Sequence, residues 1–141
     1  MSTALRTLSI QTHQPLEIVD ITALVVEAVE RLDVRDGLVT VLSRHTTAYI
    51  AINENEAALR ADMLEFLARL APPGAGYAHD HAPLDGRKNA HAHLVGLTCS
   101  ASQSIPLADA TLLLGTWQSI LFLELDGPRP EREVTVHVTG H

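Results

Sequence analysis

Between Thr46 and Leu70 the hydrophobic period of the chain changes from two residues to about 3.6 across a short polar bridge. Ala48, Ile50 and Ile52 alternate with Thr47, Tyr49 and Ala51, the pattern of a strand. Asn53-Glu54-Asn55-Glu56 follows, and from about Glu54 to Leu70 a stripe of Leu59, Met63, Phe66, Leu67 and Leu70 predicts a helix. Strand and helix therefore share one folding unit, which rules out an all-helical or all-strand chain. Side chains two apart on a strand face the same way, so His45, Thr47, Tyr49 and Asn53 line one side. Helix capping by Asn53, with Glu54 and Glu56 favouring the helix N-terminus, accounts for part of this polarity. It does not account for His45-Thr46-Thr47.

The flanking segments extend the same architecture. Residues 4–12 alternate as a first strand that Pro15 breaks, and Ile21, Leu24, Val25, Ala28, Val29 and Leu32 follow helical spacing behind Asp20 as N-cap. Leu38 to Leu42 is apolar on both faces and reads as an interior strand, forming a hairpin with 46–52. Pro72-Pro73-Gly74 stops the second helix, and 72–90 is irregular. Residues 90–99 read as a short helix, and Ser102–Leu107 as a strand at an edge or bulge because of Pro106. Leu112 to Asp126 reads as a long strand kinked at Gly115, and Val134, Val136 and Val138 mark the last strand. The expectation is a single α+β domain over residues 1–141, a mostly antiparallel sheet packed with two to three helices.

Charge narrows the partners. Seventeen acidic residues against ten basic ones give a net charge of -7, and Lys88 is the one lysine, which argues against nucleic acid and anionic membranes. Cys99 is the single cysteine and sits in an apolar run, so a small buried thiol is expected rather than a disulfide. No stretch has the length of a membrane span and the N-terminus lacks a signal-peptide pattern, so the expected location is cytoplasmic.

Eight histidines are the compositional anomaly. His79-Asp80-His81 and His91-Ala92-His93 form two His-x-His pairs, with His45 as a distant third element. Neutral imidazoles bind zinc and similar metals, and three of them with an open position make a catalytic site. On a helix, residues two apart diverge by about 200°, so only one of His91 and His93 can face a site that also holds His45. The alternative is a set of solvated loop histidines. Gly74-Ala75-Gly76 lacks the flanking strand and helix of a dinucleotide site, and Ser100, Ser102 and Ser104 lie on no nucleophile elbow. Trp117 alternates with Leu121, Leu123 and Leu125 and reads as core. Gln118 and Glu124 fall on the other face, towards solvent, a site or another subunit. His13, His137 and His141 read as non-functional.

In order, His45-Thr46-Thr47-Ala48, Asn53-Glu54-Asn55-Glu56, Tyr77-x-His79, Asn89-Ala90-x-Ala92-His93-Leu94, Ser104-Ile105-Pro106-Leu107, Leu114-Gly115-Thr116-Trp117-Gln118 and Asp126-Gly127-Pro128-Arg129 resemble the YjbQ-like family over about Leu8 to Gly140. The resemblance implies an α+β homotrimer with polar residues gathered near subunit contacts. It implies His45, His79 and His93 as metal ligands, with Glu54, His45, Asn53 and Gln118 as catalytic residues; His91 stands where the family often has Asp. The activity it implies is thiamine-phosphate synthesis from a pyrimidine diphosphate and a thiazole phosphate. That reaction needs a cation for the departing pyrophosphate, so a divalent metal, zinc or magnesium, is the expected cofactor. Two further readings stand beside it. One is a metal-dependent hydrolase of a small phosphorylated or anionic metabolite, and the other a non-catalytic metal- or ligand-binding trimer.

Overall fold

The computed structural model describes all residues from Met1 to His141. Two antiparallel sheets face each other. One has five strands in the order β1 (Ser2–Ile10), β8 (Arg132–Gly140), β3 (Gly37–Ser43), β5 (Ser102–Ala108) and β6 (Thr111–Leu112). The other has three, β2 (Glu17–Asp20), β7 (Ser119–Glu124) and β4 (Ala48–Asn53). Helices α1 (Thr22–Glu30), α2 (Ala57–Leu70) and α3 (Ala90–Gly96) complete the single α+β unit. No helix is long and apolar enough to cross a membrane.

Alternation builds the core. Val134, Val136 and Val138 on β8 and Val39 and Val41 on β3 point inward against Ile120 and Phe122 of β7, with Val25 and Val29 of α1 closing the gap. β7 is buried on both faces, because Leu121 and Leu123 point the other way, into a second cluster under α2 and α3. A strand covered on both sides reads as an unbroken apolar run, as Ile120 to Leu123 does.

Several expectations need correcting. β3 and β4 form no hairpin: β3 lies between β8 and β5, and β4 pairs with β7 in the other sheet. Arg44 to Thr47 carries the chain across, braced by the Ser43 hydroxyl donating to the Ala48 carbonyl at 2.7 Å. The long strand Leu112–Asp126 is two strands in different sheets, joined by a turn in which Gly115 N donates to Gln118 Oε1 at 2.8 Å. Trp117 sits in that turn and is 74% exposed, not core. Helix α2 begins at Ala57, capped by Glu56, whose carboxylate accepts from Ala58 N and Leu59 N. Asn53 instead accepts from Glu54 N. Phe66 is 61% exposed, and α2 contributes no fully buried side chain. The short strand β2 went unread because Pro15 two residues before it suggested only a break.

Candidate functional site

The irregular segment after α2 is shaped by its prolines and glycines. Gly74 and Gly76 take positive φ, and Tyr77 Oη donates back to the Pro72 carbonyl at 2.9 Å. A single 3-10 turn, Ala78–His81, follows. Asp80 Oδ1 accepts from Ala90 N at 3.1 Å and ties this turn to the start of α3. The result sets His79 edge-on against His93, with ring centroids 5.1 Å apart and an 84° angle between planes. Tyr77, Ala78, His79, Ala90, His93 and Leu94 line a pocket of about 480 Å³. Only His93 of the second His-x-His pair reaches it, as helical geometry requires. His91 lines a separate pocket together with Leu16 and Pro73.

Behind the pocket runs a continuous polar chain. His79 Nε2 lies 2.9 Å from Asn89 Oδ1, and Asn89 Nδ2 donates to Asp126 Oδ2 at 2.8 Å. Arg87 grips both Asp126 oxygens, and Arg129 donates to Oδ2 at 2.8 Å. Burial opposes ionisation of Asp126, but these donors outweigh it and hold its carboxyl well below the usual carboxylate range. Asp126 N in turn donates to Glu124 Oε1 at 3.0 Å. Glu124 is fully buried, bonded by Arg132 Nε and by the Thr12 hydroxyl, while Arg132 also donates to Thr47 Oγ1. Here too burial opposes the charge, and the Arg132 guanidinium leads the effects that leave the Glu124 carboxyl below its ordinary value. Arg132 pairs with Glu124, two guanidiniums share Asp126, and Asp85 also faces Arg87, so the charges of this network are closely matched.

Within one chain the expected site residues fall into separate places. His79 and His93 meet. His45 does not join them, because its Nε2 accepts from Glu133 N at 2.9 Å. Asn53, Glu54 and Gln118 lie at the far end of β4, since Ala48 faces Glu124 and Asn53 faces Ser119 across six residues, about 17–20 Å of strand. There Asn53 Oδ1 and Gln118 Oε1 both bond backbone amides of their own turns. No group of three His, Cys, Asp or Glu side chains is placed to hold a metal ion in a single chain. His81 is exposed. Asn89, Asp126 and Arg129 enter the sequence reading only as parts of the family blocks and Glu124 only as a polar residue facing solvent, a site or another subunit, while no role is read there for Arg87 or Arg132. Nothing in the spacing around Gly127-Pro128 announces that Asp126 bonds residues 37 and 39 positions upstream.

Burial, then the Arg132 charge, lowers the His45 pKa, so the folded chain binds fewer protons there than the unfolded chain. Stability is therefore expected to fall as pH drops below about 6.5, the ordinary histidine value. Urea unfolding between about pH 5 and 7.5 should show this slope, and His45→Gln should flatten it. An equal slope in the variant would remove His45 as its source.

A family model, UPF0047 protein YjbQ-like, matches residues 6–141. A UPF0047 protein of Archaeoglobus fulgidus is 47% identical over 127 residues, covering 90% of this chain and 95% of its own. A crystal structure from Sulfolobus solfataricus, of a YbjQ-like protein of unknown function, superposes with a TM-score of 0.93 at 34% identity, covering 99% of each chain. A hypothetical protein from Aeropyrum pernix gives a TM-score of 0.89 at 39% identity, covering both chains fully. These findings overturn the expected activity. The matched relatives carry the UPF0047 designation and no thiamine-phosphate synthase name, so the synthase reading is withdrawn. The hydrolase reading beside it gains no support from them and is not retained.

Proposed function

The chain belongs to the UPF0047 YjbQ-like family, and on that premise we propose that it is a homotrimer that binds a small anionic metabolite with a divalent metal ion at the His79–His93 pocket. The observation that carries this reading is the pairing of two imidazoles on one pocket, one of them braced from behind by Asn89. Metal-binding histidines characteristically bond a carbonyl or carboxylate through their other ring nitrogen. The fit to a metal is partial in one chain, which supplies two histidines where a zinc site takes three or four protein ligands. A neighbouring copy or the metabolite must supply the rest. His45, also expected as a ligand, bonds the Glu133 amide through Nε2 and lies apart from His79 and His93 within one chain. Zinc suits imidazole better than magnesium does. Arg87 and Arg129, held on Asp126 behind the pocket, are the cations that an anionic ligand would draw on.

Two observations support self-association. The outer face of the five-stranded sheet is covered by no helix, and its three central rows carry no charge. Leu5, His137, Thr40 and Ser104 form the middle row, flanked by Thr3, Thr139, Leu38 and Pro106 and by Thr7, Thr135, Leu42 and Ser102. Interface cores are depleted of charged residues in this way. The exposed area, 7987 Å², also exceeds the roughly 7,100 Å² typical of a folded monomer of this mass. The cytoplasm is the proposed location, supported by a lone thiol without a disulfide partner.

Elemental analysis of protein purified without chelator should find a stoichiometric divalent ion, and His93→Ala should lose it. Light scattering should return three times the 15.3 kDa chain mass. Equal metal content in parent and variant would overturn the ligand assignment, and a monomer mass would overturn the trimer.

A further inference from the structure

We propose that Asn89, oriented by Asp126, is a positioning residue that holds His79 as its Nε2–H tautomer and so makes Nδ1 the atom presented to a ligand. The deduction runs through donors and acceptors. The Asp126 carboxylate takes hydrogen bonds from Arg87, Arg129 and Asn89 and carries no proton to give. The Asn89 atom facing it at 2.8 Å must therefore be the amide nitrogen. The carboxamide oxygen then faces His79 Nε2 at 2.9 Å, and because it only accepts, Nε2 must bear the proton. A neutral imidazole has one N–H, which leaves Nδ1 as a lone pair. Asn89 is 4% exposed, so its amide has no solvent-facing alternative orientation. His79 is exposed, and its Nδ1 makes no hydrogen bond inside the chain. An unbraced histidine on a mobile turn would instead exchange between tautomers and offer a ligand either nitrogen.

His45 supplies the opposite case in the same molecule. A backbone N–H can only donate, so the Glu133 amide fixes the lone pair of His45 on Nε2 and the proton on Nδ1. The two histidines are assigned opposite tautomers by their fixed neighbours alone. The tautomer assignment stands on hydrogen-bond geometry. That Nδ1 meets a metal ion rests on the proposed function above.

Two-bond proton–nitrogen correlation spectra of 15N-labelled protein, taken without metal at a pH well above the histidine range, read each ring nitrogen directly. The parent should show His79 fully as Nε2–H and His45 fully as Nδ1–H. Asn89→Leu, which removes the acceptor, should give averaged nitrogen shifts for His79 while leaving His45 unchanged. Asp126→Asn, which lets the Asn89 amide present either end, should also average His79. A parent His79 that carries its proton on Nδ1, or already averages, would overturn the proposal whether or not the variants fold. A folded Asn89→Leu with an unaltered His79 would do the same. Titration of the parent with zinc alone should move the Nδ1 resonance, and Asn89→Leu should bind zinc about 10- to 100-fold more weakly. With the tautomers as stated, a zinc-insensitive Nδ1 would overturn the metal reading and leave the positioning role of Asn89 in place.

Discussion

Arg132→Met is expected to lower the free energy of unfolding by about 3–5 kcal/mol, because it strands the Glu124 carboxylate where no solvent reaches it. Glu124 enters from β7 and Arg132 from β8, so this ion pair joins the two sheets at one end of the core. The double replacement Glu124→Leu with Arg132→Met should recover most of the loss, since well-packed apolar groups often match a buried pair. Urea denaturation of the parent and the two variants measures both terms. A single variant within about 1 kcal/mol of the parent would mean that the pair is solvated and contributes little. The acid limb follows the same logic. The folded Glu124 carboxyl lies below its unfolded value, so its stabilisation is complete above about pH 4.5 and is lost as pH falls through the folded value.

Gly96→Ala is expected to be the most damaging one-carbon addition near the pocket. Gly96 sits in α3 flat against Tyr49 of β4, and an added Cβ would lie 2.1 Å from the Tyr49 hydroxyl and 2.5 Å from its ring. That hydroxyl cannot swing aside freely, because it donates to the Thr46 carbonyl at 2.7 Å. Overpacking of this kind costs about 1–3 kcal/mol, against which alanine recovers up to about 1 kcal/mol of helix preference. The displaced α3 carries His93, so zinc affinity should fall with stability. In a Tyr49→Ala background the same substitution should cost little. Thermal unfolding of the four-member cycle decides it, and full parental stability in Gly96→Ala alone would show that the helix and strand are not in close register.

The elements that sequence read well are those whose neighbours match their period. The valines of β8 and the apolar spacing of α1 each face one core, and the helix over 90–99 appeared close to its limits. What period cannot state is which sheet a strand joins. β3 and β4 are separated by four residues and still part company, because Ser43 and Ala48 lock a crossing rather than a turn. Alternation puts Glu124 on the face opposite Leu121 and Leu123, and that face, with Ile120 and Phe122, proves to be the core between the sheets; no local sign announces Arg132 across the intervening turn. The pocket histidines stood out by density and by resemblance. Asn89 and Asp126 belong to the blocks that carry the resemblance too, but their contact is not legible there, since they meet through side chains alone.

Helix α2 has fourteen residues and not one fully buried side chain. Met63, Leu64 and Leu67 hold it only by partly buried contacts with the second cluster, so in a single chain it is expected to open before the sheets do. The cleft beneath it, about 340 Å³ and walled by Met63, Phe66 and Cys99, would widen with such an opening. Burial keeps the Cys99 thiol protonated and quiet while the helix is seated. If α2 opens locally, an electrophile should label Cys99 faster than global unfolding allows, and labelling only at the global rate would show that the helix stays seated.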